Sequence, residues 1–193
     1  MDQSLQGAAS AVRTIALQML EERGRGAVLV GVARVDAALE RLLLSVLLPS
    51  PGRSDALFQP DRPLGSFGAR ISLAHRLGLI ESPVERALHT LRRVRNAFAH
   101  SSESASLDDP AYAERLAQAY RNARDNPLWA PLKSVLSKAG AAGEPPVKPA
   151  LRDYIPLITI LVAFLEATAQ QLRPYQPPVV MGFSGVLRQD PAG

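Results

Sequence analysis

The chain has 193 residues, 47% of them hydrophobic, which is enough to bury one core, so one domain is the expectation. There is no cysteine, which excludes disulfides and thiolate metal sites and is compatible with a reducing compartment. Net charge is +4 and nearly all the cations are arginine, the lysines being Lys133, Lys138 and Lys148; this permits contact with phosphate without demanding it.

Helical periodicity dominates from the start. Residues 4–23 place Leu5, Ala8, Ala9, Val12, Ile15, Ala16, Met19 and Leu20 on one face, and Gly24 follows as a stop. Asp2, Arg13, Glu21 and Glu22 interrupt this segment, so it lacks the apolar run of a signal peptide. Residues 27–48 predict a second helix, apolar nearly all round as a central helix should be, yet broken by Arg34, Asp36, Glu40 and Arg41. The apolar run Ile155–Leu165 is too short to span a bilayer. A cytoplasmic protein with no membrane contact is the expectation.

Pro49–Pro63 reads as a loop. Ser66 caps a helix running to about Leu77, with Gly78 at its end. Ser82, Pro83 and Glu85 then supply an N-cap, a first-turn proline and a capping-box acid for the next helix. Beyond the polar stretch Ser101–Asp109, Pro110 opens a helix to Arg124, and a shorter one covers 128–138. Residues 139–149 read as a flexible connector, and 151–173 as a last, strongly apolar helix. No segment shows strand alternation. The reading is all-α: an antiparallel bundle of about six helices over 1–173, followed by a Pro- and Gly-rich tail, 174–193, extended or disordered.

The stretch RRVRNAFAH (92–100) closes the helix that starts at Ser82. With Val84 at zero and about 100° per residue, Val84, Ala87, Leu88, Leu91, Val94 and Phe98 form one apolar stripe between about 280° and 40°. Arg95 falls within it at about 20°, whereas Arg86, His89, Arg93 and His100 lie opposite, between about 140° and 200°. Arg86, Arg92 and Arg93 therefore read as solvated charge. Arg95 needs a partner or a wet cleft. Asp36 offers one on the helix 27–48, with Glu40 a turn further on, and two readings stand: an Arg95–Asp36 pair joining two helices, or a site in which Asp36 or Glu40 aims Arg95 at a phosphate. His100, in an unbroken helix, points about 140° away from Arg95. The two converge only if the helix bends or ends near Ala99, or if a second subunit supplies one of them.

PLGSFGARISLAHRLGLI (63–80), LRRVRNAFAH (91–100) and the preceding helix rich in leucine and acids, 29–44, resemble the mannitol operon repressor family. The likeness covers roughly residues 10–105. RNAFAH also fits the Arg-x(4–6)-His signature of HEPN domains, helical proteins that include metal-independent endoribonucleases. The resemblance implies a helical domain that dimerises, with motifs of two subunits facing one another. It implies a transcriptional regulator acting through a protein partner, without a cofactor. In an active HEPN member, RNA would be the substrate: His100 would be the general base on a ribose 2′-OH, Arg95 would stabilise the phosphorane, and Asn96 would orient groups by hydrogen bonding, with no metal.

A third reading is direct DNA binding, since Ala74, Gly78 and Val84 have helix-turn-helix spacing. Glu81 and Glu85 would then stand where phosphates belong, so two packed helices joined by a tight turn are preferred. Three histidines, His75, His89 and His100, without an HExxH, argue against a metal site. Residues 65–68 (GSFG) lack the preceding strand and following lysine of a phosphate loop. Arg70 is expected to bond loop carbonyls or an acid, with a place lining a site as the second reading. Trp129 is expected to anchor packing.

Overall fold

The computed structural model describes residues 2–50, 52, 55–100, 105–139, 147–183 and 185–188. Its helices are α1 (Asp2–Val46), α2 (Phe67–Arg76), α3 (Ser82–His100), α4 (Pro110–Arg124), α5 (Trp129–Ala139) and α6 (Pro149–Gln171), with a 3₁₀ turn at Ala56–Phe58. The expected all-α bundle is present, and no helix among the described residues is long and apolar enough to cross a membrane.

Local chemistry sets most of the ends. Ser66 accepts a hydrogen bond from the Ala69 N–H (3.2 Å), and Gly78 (φ +70°) ends the turn after α2. Asp109 caps α4 by accepting from Ala111 N–H, with Pro110 in the first turn, where its missing N–H costs nothing. At α3 the expectation differs from what is found. The Glu81 carbonyl receives the Glu85 N–H (3.0 Å), and the Glu85 side chain faces His75 and His89 instead of closing a capping box.

The two helices expected on either side of Gly24 belong to one hydrogen-bonded element, α1, but that element is not straight. Arg34 Nη2 donates to Gln18 Oε1, although a straight helix would hold these residues about 24 Å apart along its axis. Met19 Cε likewise lies 2.9 Å from where a Cβ on Gly31 would sit. The bend is at Gly24, whose φ of +54° is left-handed backbone that glycine adopts without a Cβ clash. Gly24 therefore reverses the direction of the chain and does not end a helix as expected.

The second limb of α1 forms the centre of the core. Val28, Val32, Val35, Leu39 and Leu42 are fully or nearly fully buried, as are Tyr154, Ile155 and Ile158 of α6. Tyr154 donates its hydroxyl to the Val28 carbonyl (3.2 Å), Arg41 pairs with Glu166, and Tyr175 N–H reaches Val46 O (2.8 Å). These contacts advance together along both segments, so the second limb and α6 run parallel. Gly31 makes the approach at this crossing close: a Cβ there would lie 3.3 Å from both Ile158 Cγ1 and Tyr154 Cε1, tighter than ordinary contact. α3 runs antiparallel to the same limb: Arg25 Nη2 donates to Ala99 O (3.2 Å), while Leu42 shares an apolar cavity of about 420 Å³ with Val84 and Ala87.

The tail departs from the expectation of extended or disordered chain. Val179–Gly182 (β1) and Gly185–Arg188 (β2) pair antiparallel, with Val179 opposite Arg188 and Gly182 opposite Gly185. Residues 189–193, and residues 140–146 of the expected connector, lie outside the described residues.

Candidate functional site

Arg70 is the buried cation among the described residues. Capping by Ser66 starts α2 in a register that turns Arg70 inward, where 9% of its side chain remains exposed. Its Nε donates to Leu64 O (2.8 Å), and its Nη1 meets both Asp36 Oδ1 (2.6 Å) and Glu40 Oε2 (3.2 Å). The guanidinium carbon also stands 5.7 Å from the Phe58 ring centre. Arg70 therefore bonds a loop carbonyl and an acid at once, tying α2 and its preceding loop to α1. Gly65 in that loop leaves no room for a side chain, since a Cβ would collide with Gln59 O. This gives residues 65–68 a structural reason for their glycine.

Arg95 does not make the expected pair with Asp36: the salt bridge belongs to Arg70. Arg95 is exposed, and its Nη1 donates to Asn96 Oδ1 (3.3 Å). The reason is the position of α2. Its first turn already lies against Arg92, whose guanidinium is 3.4 Å from the Cβ position of Gly68. Arg95, nearly one turn further along α3, emerges beyond the start of α2. By the same contact Arg92 is half-buried, with a buried Nε lacking a hydrogen-bond partner, and is not the solvated charge expected.

Arg95 still acts on the cluster through space. Burial raises the Asp36 pKa above its ordinary 3.8, opposed first by the charge and hydrogen bond of Arg70 and then by the charge of Arg95. Two carboxylates and two guanidiniums thus form one electrostatic unit, in which Arg70 is fixed and Arg95 is open to solvent.

His100 is exposed at the last residue of α3, and α3 continues without a break to that point. Helical geometry then puts His100 about 140° around the axis from Arg95. Asn96 lies between them, bonded to Arg95 and one turn before His100. Within one chain Arg95 and Asn96 meet, and His100 does not face Arg95. Phe98 is fully buried and meets the Tyr112 ring edge-on at 4.8 Å.

The other histidines are engaged elsewhere. His75 Nδ1 is 3.1 Å from Ile80 O, so this nitrogen carries the proton, while Nε2 faces Glu85 (3.5 Å). Trp129 is buried at the start of α5 against Tyr120, a packing role as expected. α3 packs against α1, α2 and α4.

Comparison with known proteins finds no matching family model, no matching curated sequence and no matching solved structure. Fold and site thus define the class from this chain alone: a helical bundle whose first long helix doubles back, with an Arg70–Asp36–Glu40 clamp beside an open Arg95–Asn96 pair.

Proposed function

We propose that this chain is a non-enzymatic regulator of the mannitol-operon-repressor type, a homodimer that acts by binding a protein partner. The observation that carries this reading is the divergence of Arg95 and His100 on an unbroken α3. A general base and a phosphorane-stabilising cation must both reach one phosphate, and a single chain does not arrange them so. The resemblance of residues 63–80 and 91–100 to the repressor family points the same way. Direct DNA reading by α3 is disfavoured because three helices pack against it and Glu81 and Glu85 occupy its N-terminal end.

The second reading, a HEPN-type endoribonuclease, is favoured by the freedom of Arg95. No carboxylate holds it in a salt bridge among the described residues, and Asn96 bonds it directly. If two copies faced each other, His100 of one would take the proton from a ribose 2′-OH. That oxygen would attack phosphorus, the 5′-oxygen would leave and take a proton from water, and a 2′,3′-cyclic phosphate would remain. Arg95 would stabilise the negative phosphorane.

A metal-free RNA cleavage assay on wild type, Arg95→Ala and His100→Ala decides between the two. The regulator reading expects no cleavage by any of the three and a dimer by sedimentation. Cleavage by wild type that is lost in both variants overturns it in favour of the nuclease.

A further inference from the structure

The face of α3 opposite the core forms, with α4, a cleft of about 290 Å³, close to the lower end of small-molecule pockets. Arg86, His89 and Arg93 of α3 line it together with Arg115 of α4, and Thr90 and Gln118 add a hydroxyl and an amide. No carboxylate lines it among the described residues. Its floor includes Ala87 and Ala119, small buried residues that leave room for a bound group.

The cations here, like Arg95 and Arg121, lack the acid partner that some others have among the described residues. Arg41, Arg70, Arg124, Lys133 and Lys148 each meet an acid, whereas Arg86, Arg93 and Arg115 form no salt bridge among the described residues. Arg93 and Arg115 are held in other ways. Thr90 donates its hydroxyl to Arg86 O (2.9 Å) and accepts from Arg93 Nη2 (3.1 Å), which orients the Arg93 guanidinium. Arg115 lies over the Tyr112 ring at 5.7 Å. The nearest acid to His89 is Glu85, at 4.0 Å, and Glu85 also faces His75. Burial first, and then the charge of Arg92, hold the His89 pKa below its ordinary value, with Glu85 opposing and Arg93 adding a smaller push.

Three unpaired guanidiniums around one cleft exceed what a carboxylate needs and match a dianion, which guanidinium forks bind through paired N–H donors. The small, partly enclosed volume leaves room beside that group for a few more atoms. We propose that the α3–α4 cleft binds the phosphoryl group of a small phosphomonoester, with Arg86, Arg93 and Arg115 as its anion-holding residues. The site lies around α3 from Arg95 and depends on neither reading of that residue.

The test is calorimetric titration of the full-length protein with glycerol 3-phosphate, inorganic phosphate, acetate and a short single-stranded RNA. Arg93→Gln, Arg115→Gln and, as a control away from the cleft, Arg41→Gln are titrated in parallel. Thermal melting without ligand checks that each variant is folded; the cleft arginines are exposed, so little change is expected. Glycerol 3-phosphate should bind more tightly than inorganic phosphate, and acetate should not compete. Affinity should fall about tenfold or more in each cleft variant and stay unchanged in the control. Failure of glycerol 3-phosphate to bind at millimolar concentration overturns the proposal, as does equal binding by folded cleft variants. RNA binding that is lost in those variants while glycerol 3-phosphate gives no heat would reassign the cleft to a polynucleotide.

Discussion

Replacing Arg70 with methionine isolates the charged clamp on α1. The arginine is the common partner of Asp36 and Glu40, and its side chain is 9% exposed, against 29% and 35% for the two acids. Removing one member of a buried ion pair typically costs about 3–5 kcal/mol. The acids here keep roughly a third of their exposure, so water takes up part of the loss and about 1–3 kcal/mol of it remains. The Leu64 carbonyl also loses its donor, worth about 1 kcal/mol. Arg70→Met should therefore lower stability by about 2–4 kcal/mol at neutral pH, measured by urea denaturation followed through Trp129 fluorescence and helical circular dichroism. The pH dependence has a definite sign. Burial already raises the Asp36 pKa with Arg70 present, and loss of the cation raises it further. A carboxyl whose folded pKa exceeds its unfolded value favours the folded state when protonated, so the deficit should shrink on acidification and grow as pH rises through the raised pKa. The triple variant Arg70→Met, Asp36→Asn, Glu40→Gln should recover to within about 1 kcal/mol of wild type, because no unpaired charge remains. A loss below about 1 kcal/mol in Arg70→Met, or a triple variant less stable than the single one, would refute the clamp.

Three further outcomes are expected. Gly24→Ala should destabilise by about 1 kcal/mol net, since a left-handed alanine costs roughly 1–2 kcal/mol and a stiffer unfolded chain returns part of it; nothing lies within 4 Å of a Cβ there, so a neutral result would mean the bend survives without left-handed backbone. Gly31→Leu should cost about 3 kcal/mol or more by overpacking against Ile158 and Tyr154, with a fall in melting temperature as the readout. The depressed His89 pKa contributes stability above the unfolded value of 6.5 that is lost as pH falls through the folded value. The stability of wild type relative to His89→Gln should therefore decline between about pH 7.5 and pH 5; a constant difference in urea midpoints would contradict it.

What the sequence made legible was whatever neighbouring residues decide among themselves. Ser66 and Gly78 bound α2, and Pro110 opens α4, because caps and turns are chemistry within a few residues. Gly24 was legible as an interruption, but a lone glycine does not say whether a helix ends or turns back. Periodicity gave the angle of Arg95 around its own axis. It did not reveal how far along α3 the cover of α2 extends, and that distance decides why Arg92 is half-buried and Arg95 is free. For Arg70 a loop carbonyl or an acid was legible as its partner, but not which acid, because Asp36 and Glu40 lie thirty or more positions earlier on another helix. Arg86, His89 and Arg93 were visible as one polar face, yet only the docking of α4 adds Arg115 and makes that face a cleft. The tail hairpin escaped because two strands of four residues offer too short an alternation amid prolines and glycines.

The parallel pairing of the second α1 limb with α6 has a consequence for how the protein is made. The Tyr154–Val28 hydrogen bond joins residues 126 positions apart, so the most apolar helix near the start of the chain has no α6 to cover it until 126 further residues have been added. At about 5–20 residues per second of synthesis, that interval is roughly 6–25 seconds. During it the N-terminal limb, folded back at Gly24, can already cover the stretch around Gly31 and Arg34 through Met19 and Gln18. The reversal thus offers a temporary cover for a core whose permanent partner is made much later.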